Sequence, residues 1–367
     1  MPISPDALFR PFSLKQLKLD NRIVMAPMTR SFSPGGVPGA DVAAYYRRRA
    51  ENQVGLIITE GTVIDHPAST NDTRVPHIHG EAVLAGWANV VAEVHAAGGR
   101  IMPQIWHVGT VRKMGDKPNP EAPPIGPSGL YKPGFKVVEP MREAEIEAVI
   151  AAYGQAAADA KRLGFDGVEI HGALGYLIDQ FFWEGTNQRS DRWGGDLLAR
   201  TRFAAEVIKS CRRNVGADFP IVFRFSQWKQ QDYNARLATT PELLGKFLAP
   251  LADAGVDIFH CSTRRFWEPE FEGSQLNLAG WTKKLTGKPV ITVGSVSLDT
   301  DMFAAFRGQG AASTSIDKLI EMFARDEVDL VAVGRALLVD HQWGTKVRED
   351  RMQDLLPFTA ASMKTLY

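Results

Sequence analysis

EAEIEAVIAAYGQAAADAKRLGFDGVEIHGALGYLIDQFF, residues 143–182, decides the fold. Its first half, Glu143 to Leu163, is Ala-rich and amphipathic, so it predicts a helix with one face on a core. Gly164 stops that helix. Soon after, GVEIHG (167–172) is a short, near-continuous apolar run, the mark of a strand covered on both faces. Helix, glycine, strand is the αβ half of a repeating β–α unit.

The pattern recurs along the chain. Strand-like runs are RIVMAP (22–27), GLIITEG (55–61), RIMPQIWH (100–107), GVEIHG (167–172), PIVFRFS (220–226), DIFHCS (257–262), PVITVGS (289–295) and LVAVGR (330–335). Helical patterns lie between them. Glu81 to Ala97 ends before Gly98-Gly99, Leu197 to Val215 ends at Gly216, and Pro241 to Ala254 starts behind Thr239-Thr240 and ends at Gly255. Eight such units predict an α/β fold of the (β/α)8 TIM-barrel type. An open doubly wound sheet would not need eight comparable strands. The proline-rich segment 108–141 follows the third strand and is expected to form a capping loop or hairpin over the barrel mouth. Residues after Asp340 read as a C-terminal helical extension. No linker or low-complexity tract interrupts residues 1–367, so one domain is expected.

The 367 residues carry 42 Lys+Arg against 42 Asp+Glu, a balance with no basic footprint for nucleic acid or an anionic membrane. Apolar residues make up 44% and charged residues 23%, enough for a large core. Cys211 and Cys261 are the two cysteines, too few for a disulfide framework or a four-cysteine metal site. These features, and the lack of an apolar run near 18 residues, predict a soluble cytoplasmic protein acting on small molecules, as a monomer or homodimer.

In such a barrel the chemistry sits at the C-terminal strand ends. There the chain places Pro27-Met28-Thr29, Glu60-Gly61-Thr62, Gln104, Trp106-His107, His171, Arg224, Cys261, Arg264, Gly294-Ser295 and Gly334-Arg335. Glycines after strands 7 and 8 suit a phosphate, with Arg335 as a charged donor. They also suit simple relief of crowding in tight turns. Arg224 follows an apolar IVF, so its guanidinium needs an anionic partner, either a nearby carboxylate or a ligand that becomes anionic. His77 and His79 lack the carboxylate or cysteine that would complete a metal site, and none is expected. His95, His260 and His341 read as structural.

The motifs NRIVMAPMTR (21–30), PQIWHVG (103–109), GFDGVEIHGALGYLIDQF (164–181) and TNQRSDRWGG (186–195), with the two strand-end dipeptides, resemble the Old Yellow Enzyme family. The resemblance runs from about Leu8 to about Asp340. It implies non-covalent FMN at the barrel mouth, NADH or NADPH as reductant, and hydride transfer to an activated alkene in a ping-pong cycle. It further implies that Pro27, Met28, Thr29, Gly61, Gln104, His171 and Arg224 surround the flavin. Gly294, Ser295, Gly334 and Arg335 would take its phosphate. By the same resemblance Tyr176 is the proton donor and His171 binds the substrate oxygen, with Trp106, Leu174 and Arg264 beside the substrate.

One position departs. After the histidine the family has two residues, then His or Asn, then one residue, then Tyr, and here that second polar place is Leu174. A donor from another loop is one remedy, with Arg264, Arg265, Trp183, His107 and Tyr131 as candidates. A bulkier, more apolar substrate packed on Leu174 is another. A third is weak turnover of simple enones. The corresponding alternatives in function are an FMN dehydrogenase or isomerase of a bulky catabolic intermediate, and a flavin-binding protein with little turnover.

Overall fold

A computed structural model describes residues 4–301 and 307–367. Eight parallel strands close into a barrel: β1 (Ile23–Met25), β2 (Leu56–Val63), β3 (Arg100–Trp106), β4 (Val168–Leu174), β5 (Ile221–Lys229), β6 (Ile258–Ser262), β7 (Val290–Val293) and β8 (Leu330–Val333). Each is hydrogen-bonded to its neighbours in chain order, and β8 returns to β1. Among the helices outside are α1 (Ala40–Ala50), α2 (Glu81–Ala96), α3 (Glu143–Arg162), α4 (Leu177–Phe182), α5 (Arg202–Val215) and α6 (Pro241–Ala254). The strands bury both faces, which is why they read as continuous apolar runs rather than alternating ones.

Alternation is still present, but as a change of chemistry along the barrel axis. Val24, Leu56, Ile58, Met102, Val222, Ile258, Ile291 and Leu330 pack together as one apolar cluster in the lower barrel. Phe12, Leu17 and Leu19, from a short antiparallel pair ahead of β1, join that cluster and plug its base. Two residues further along the same faces come Gln104, Arg224 and His260, with Glu169 and His171 on β4. Register aligns Gln104 with Glu169, His171 with Arg224, and Arg224 with His260. A floor of hydrocarbon therefore carries a continuous polar band beneath the C-terminal mouth.

Two strands run further than the sequence pattern indicates. β5 reaches Lys229 and β4 reaches Leu174, pairing with each other across a register shift between Gly172 and Leu174. Leu174 thus belongs to the strand pairing rather than to a free loop. The segment 108–141 carries a small antiparallel hairpin, Leu130–Lys132 with Phe135–Lys136. Beyond Asp340 a helix, Trp343–Arg348, and two 3-10 turns form the C-terminal extension. No helix among the described residues is long and apolar enough to cross a membrane.

Candidate active site

One large cavity, about 540 Å3, opens at the C-terminal end of the barrel. That volume lies within the range of cofactor and small-molecule sites, about 300–1,000 Å3. All the residues singled out from the strand ends as flavin or substrate neighbours line it: Pro27, Met28, Thr29, Gly61, Gln104, Trp106, His171, Leu174, Tyr176, Arg224, Arg264, Gly294, Ser295, Gly334 and Arg335. They come from all eight strands or the turns behind them, so only closure of the barrel brings them together.

Three aromatic rings form the centre of one wall. Trp106 meets Tyr176 edge-on at 4.9 Å, Tyr176 meets His171 edge-on at 5.1 Å, and Trp106 lies parallel to His171 at 6.1 Å. Gly61 explains how Trp106 fits. A Cβ on Gly61 would stand 2.4 Å from the indole Cε3, so the missing side chain makes room for tryptophan. The resemblance set Gly61 against the flavin ring, and the structure adds this second reason for a glycine.

His171 is buried, and the Ala173 N–H donates to its Nδ1 at 3.3 Å. A neutral ring with Nδ1 as acceptor carries its proton on Nε2, which makes Nε2 a donor. Burial, followed by the Arg224 and His260 charges, holds the imidazole well below its ordinary pKa. It is therefore neutral at pH 7. Tyr176 is half-buried, and burial raises its phenol pKa despite a hydrogen bond from Gln230 and the Arg224 charge. Gln230 Nε2 donates to the phenol oxygen at 3.3 Å. That bond uses an acceptor site and leaves the Tyr176 O–H free to give a proton.

Beneath the cavity lies a fully buried relay. Gln104 Nε2 donates to Glu169 Oε1 at 2.7 Å, and Glu169 Oε2 is 2.6 Å from His260 Nδ1. The bond to Glu169 fixes which end of the Gln104 amide points down, so Oε1 is the end left for the cavity. Arg224 Nη2 donates to Ser262 Oγ at 3.0 Å, while its Nε is buried without a partner among the described residues. His260, read from sequence as structural, is thus a support for the cavity lining.

Leu174 and Gly175 both have left-handed backbone, φ 66° and 81°. Every backbone group of this turn is held: Leu174 N–H by Ser226 Oγ at 2.9 Å, Gly175 N–H by Asp179 Oδ2 at 2.7 Å, and Gly175 O by Gln180 Nε2 at 2.8 Å. Asp179 is in turn paired with Lys229 at 2.7 Å, and both side chains are completely buried. Tyr176 follows at the start of α4, so the turn and that ion pair set where the phenol stands.

Of the residues weighed as substitutes for the donor missing at Leu174, Arg264 alone lines the cavity. Arg265 pairs with Glu268 and Asp301. His107 is tied to His66 at 3.1 Å and accepts from Gly109 N–H. Tyr131 lies near enough to act on Tyr176 ionisation, but its ring meets Phe135 edge-on at 6.3 Å. Gln230, Trp228 and Met363 line the cavity without having been singled out, since each comes from a segment that carries no recognisable pattern.

Two histidines away from solvent give a pH prediction. His107, like His171, is buried and held well below its ordinary pKa by burial first. The unfolded chain binds protons there below about pH 6.5 while the folded chain does not, so stability is full above that pH and falls as pH drops. Each such histidine contributes a slope of about 1.4 kcal/mol per pH unit. Urea unfolding at pH 7.5, 6.5 and 5.5 should show this slope, and His107→Gln should flatten it by one histidine's share. An unchanged slope in that variant would show that His107 is charged when folded.

The comparisons with known proteins bear on the same site. The chain matches the NADH:flavin oxidoreductase / NADH oxidase family over residues 7–354. It is 34% identical to NADH oxidase of Thermoanaerobacter brockii over 95% of its own length and 52% of that protein. It is 42% identical to 12-oxophytodienoate reductase 7 of Oryza sativa subsp. japonica over 58% of its length and 56% of the relative. The chain thus spans little more than half of these two relatives. Morphinone reductase superposes with a TM-score of 0.80 at 28% identity, over 99% of this chain and 94% of that one. The Old Yellow Enzyme homologue from Zymomonas mobilis gives 0.81 at 25% identity, over 98% and 96%. By fold and family match together, the chain belongs to the NADH:flavin oxidoreductase / NADH oxidase family, the Old Yellow Enzyme family of FMN-dependent oxidoreductases.

Proposed function

We propose that the protein is an NAD(P)H oxidoreductase that uses FMN to reduce an activated alkene, one conjugated to a carbonyl or similar group. The observation that carries this reading is the Trp106–His171–Tyr176 cluster in one cavity with Arg224, whose buried Nε has no partner among the described residues. A flavin fits the residues present. Its acceptor-rich pyrimidine edge suits Arg224, and its ring N–H suits Gln104 Oε1. Its flat face suits Pro27, Met28, Thr29 and Gly61, with His171 near both flavin and substrate. Gly294, Ser295, Gly334 and Arg335 would take the phosphate. At Gly294 a Cβ would come within 2.8 Å of the Thr263 carbonyl, so the β6 and β7 turns meet there with no side chain between them.

When bound, FMN supplies hydride exchange between a reduced nicotinamide and the alkene. The chain's own residues do the rest. Neutral His171 donates from Nε2 to the substrate oxygen and stabilises the negative charge that grows there. Tyr176 gives the proton on its Oη to the carbon next to the activating group. Trp106 fixes the angle between those two donors. The apolar walls exclude water, which strengthens both hydrogen bonds.

The test is optical. Purified protein should be yellow or become so with FMN, bleach anaerobically with NADH or NADPH, and recolour with alkenes. A colourless protein that cannot be loaded with FMN overturns the proposal. Bleaching without recolouring would favour a dehydrogenase or isomerase, or a flavin-binding protein with little turnover.

Leu174 gives a second, finer test. A leucine at φ 66° costs about 1–2 kcal/mol of backbone energy, whereas asparagine adopts such angles readily. Leu174→Asn should therefore fold at least as well and add a donor to the cavity wall. One such donor is worth about 10²-fold in related settings. The kcat/KM for small enones should rise accordingly, read from flavin reoxidation rates. No gain would mean that Leu174 is not the site of a missing donor.

A further inference from the structure

A second, smaller pocket of about 80 Å3 opens from the same wall, between the segments that follow β5 and β6. It shares Trp228, Ser262, Thr263 and Arg264 with the main cavity, so a ligand in one can extend into the other. Its remaining charges are matched. Arg236 pairs with Glu270 at 2.5 Å, and Arg265 pairs with Glu268 at 3.0 Å and Asp301 at 3.2 Å. Arg264 is different. Among the described residues it forms no ion pair, and its guanidinium stands 5.9 Å from the Tyr233 ring centre.

A charge count over the main cavity isolates the same residue. Its lining holds Arg30, Arg224, Arg264 and Arg335 against one acid, Asp72. Arg30 is spent on Tyr45 Oη and on the carbonyls of Met363 and Thr365. Asp72 accepts from Ser31 Oγ and from the Arg74 N–H. Arg224 and Arg335 are those assigned above to the flavin. Arg264 remains as a half-buried cation facing a largely apolar chamber, and an oxyanion is what such a group binds best.

Resting on the functional reading above, we propose that the side pocket binds an oxyanion carried by the ligand that enters the cavity, with Arg264 as its ion-pair partner. Two sources share this chemistry: a carboxylate on the alkene substrate, remote from the reducible bond, and the phosphates of the nicotinamide. The preferred substrates of the first kind are unsaturated acids rather than neutral enones of the same size.

The holoenzyme can be tested with matched probes. Phenols bearing a carboxylate on one, two or three carbons, and their methyl esters, are titrated against the bound flavin's absorbance. Wild type should bind the best-fitting acid at least 10-fold more tightly than its ester, and the preference should shrink as salt is raised. Arg264→Gln should lower the acid-to-ester ratio at least 10-fold, and Arg264→Lys should restore part of it. If the substitution instead raises the KM for NADH or NADPH while the ratio stays near one, the phosphates are the source. A ratio near one in wild type with no change in nucleotide KM on substitution would overturn the proposal. That result is distinct from failure of the functional reading, in which neither acid nor ester perturbs the flavin and no alkene reoxidises it.

Discussion

Tyr176→Phe should slow alkene reduction by about 10²–10⁴-fold, the usual worth of a placed general acid. Flavin reduction by NAD(P)H should change by no more than about twofold, because that half-reaction needs no proton from the phenol. The substitution is clean. Phenylalanine keeps the ring that meets Trp106 at 4.9 Å and His171 at 5.1 Å, so the aromatic wall survives. The one group lost is the hydroxyl, whose raised pKa keeps it protonated at neutral pH. Gln230 loses its acceptor, but that bond lies at an exposed rim where water replaces it. Stopped-flow measurement of the two half-reactions separates the cases. Equal loss in both would mean that Tyr176 acts through packing and not as an acid.

The barrel was legible because eight apolar runs recur with helical patterns between them, four of which stop at glycine. Eight repeats of that unit have one natural closure. The lining was legible too, since residues at strand ends face the mouth once the barrel closes. Three things were not. The extension of β5 to Lys229 is hidden because Gln227 and Lys229 are polar, and polarity reads as loop. Lys229 is buried by pairing with Leu174 and by Asp179, and Gln227 is held by Ala238 and Glu270, all distant in sequence. The room that Gly61 makes for Trp106 depends on where the indole lies. The Gln104–Glu169–His260 relay joins three strands, and Glu169 is a lone acid in an apolar run, without a visible partner, until register sets it beside Gln104. Local pattern predicts elements and ends of elements. It does not predict which buried polar groups meet.

Asp179→Ala should destabilise the protein by about 3–5 kcal/mol, the cost of leaving one member of a buried ion pair alone. Lys229 would remain fully buried with only the carbonyls of Ser226 and Gln227, each 3.3 Å away. Burial already pushes the Lys229 pKa down and the Asp179 pKa up, so each depends on the other to stay charged. The Gly175 N–H would lose its acceptor as well. A typical domain is stable by about 5–15 kcal/mol, so this single change consumes a large share. Urea unfolding measures it, and a loss below about 1 kcal/mol would show that water or relaxation reaches the site. The double change Asp179→Leu with Lys229→Met should recover most of the stability, since apolar replacements of buried pairs are often near neutral. It should not recover catalysis. The Leu174–Gly175 turn would still lack the carboxylate that holds it, and Tyr176 follows directly. A stable double variant with slow alkene reduction and intact flavin reduction would place the function of the ion pair in aiming the phenol.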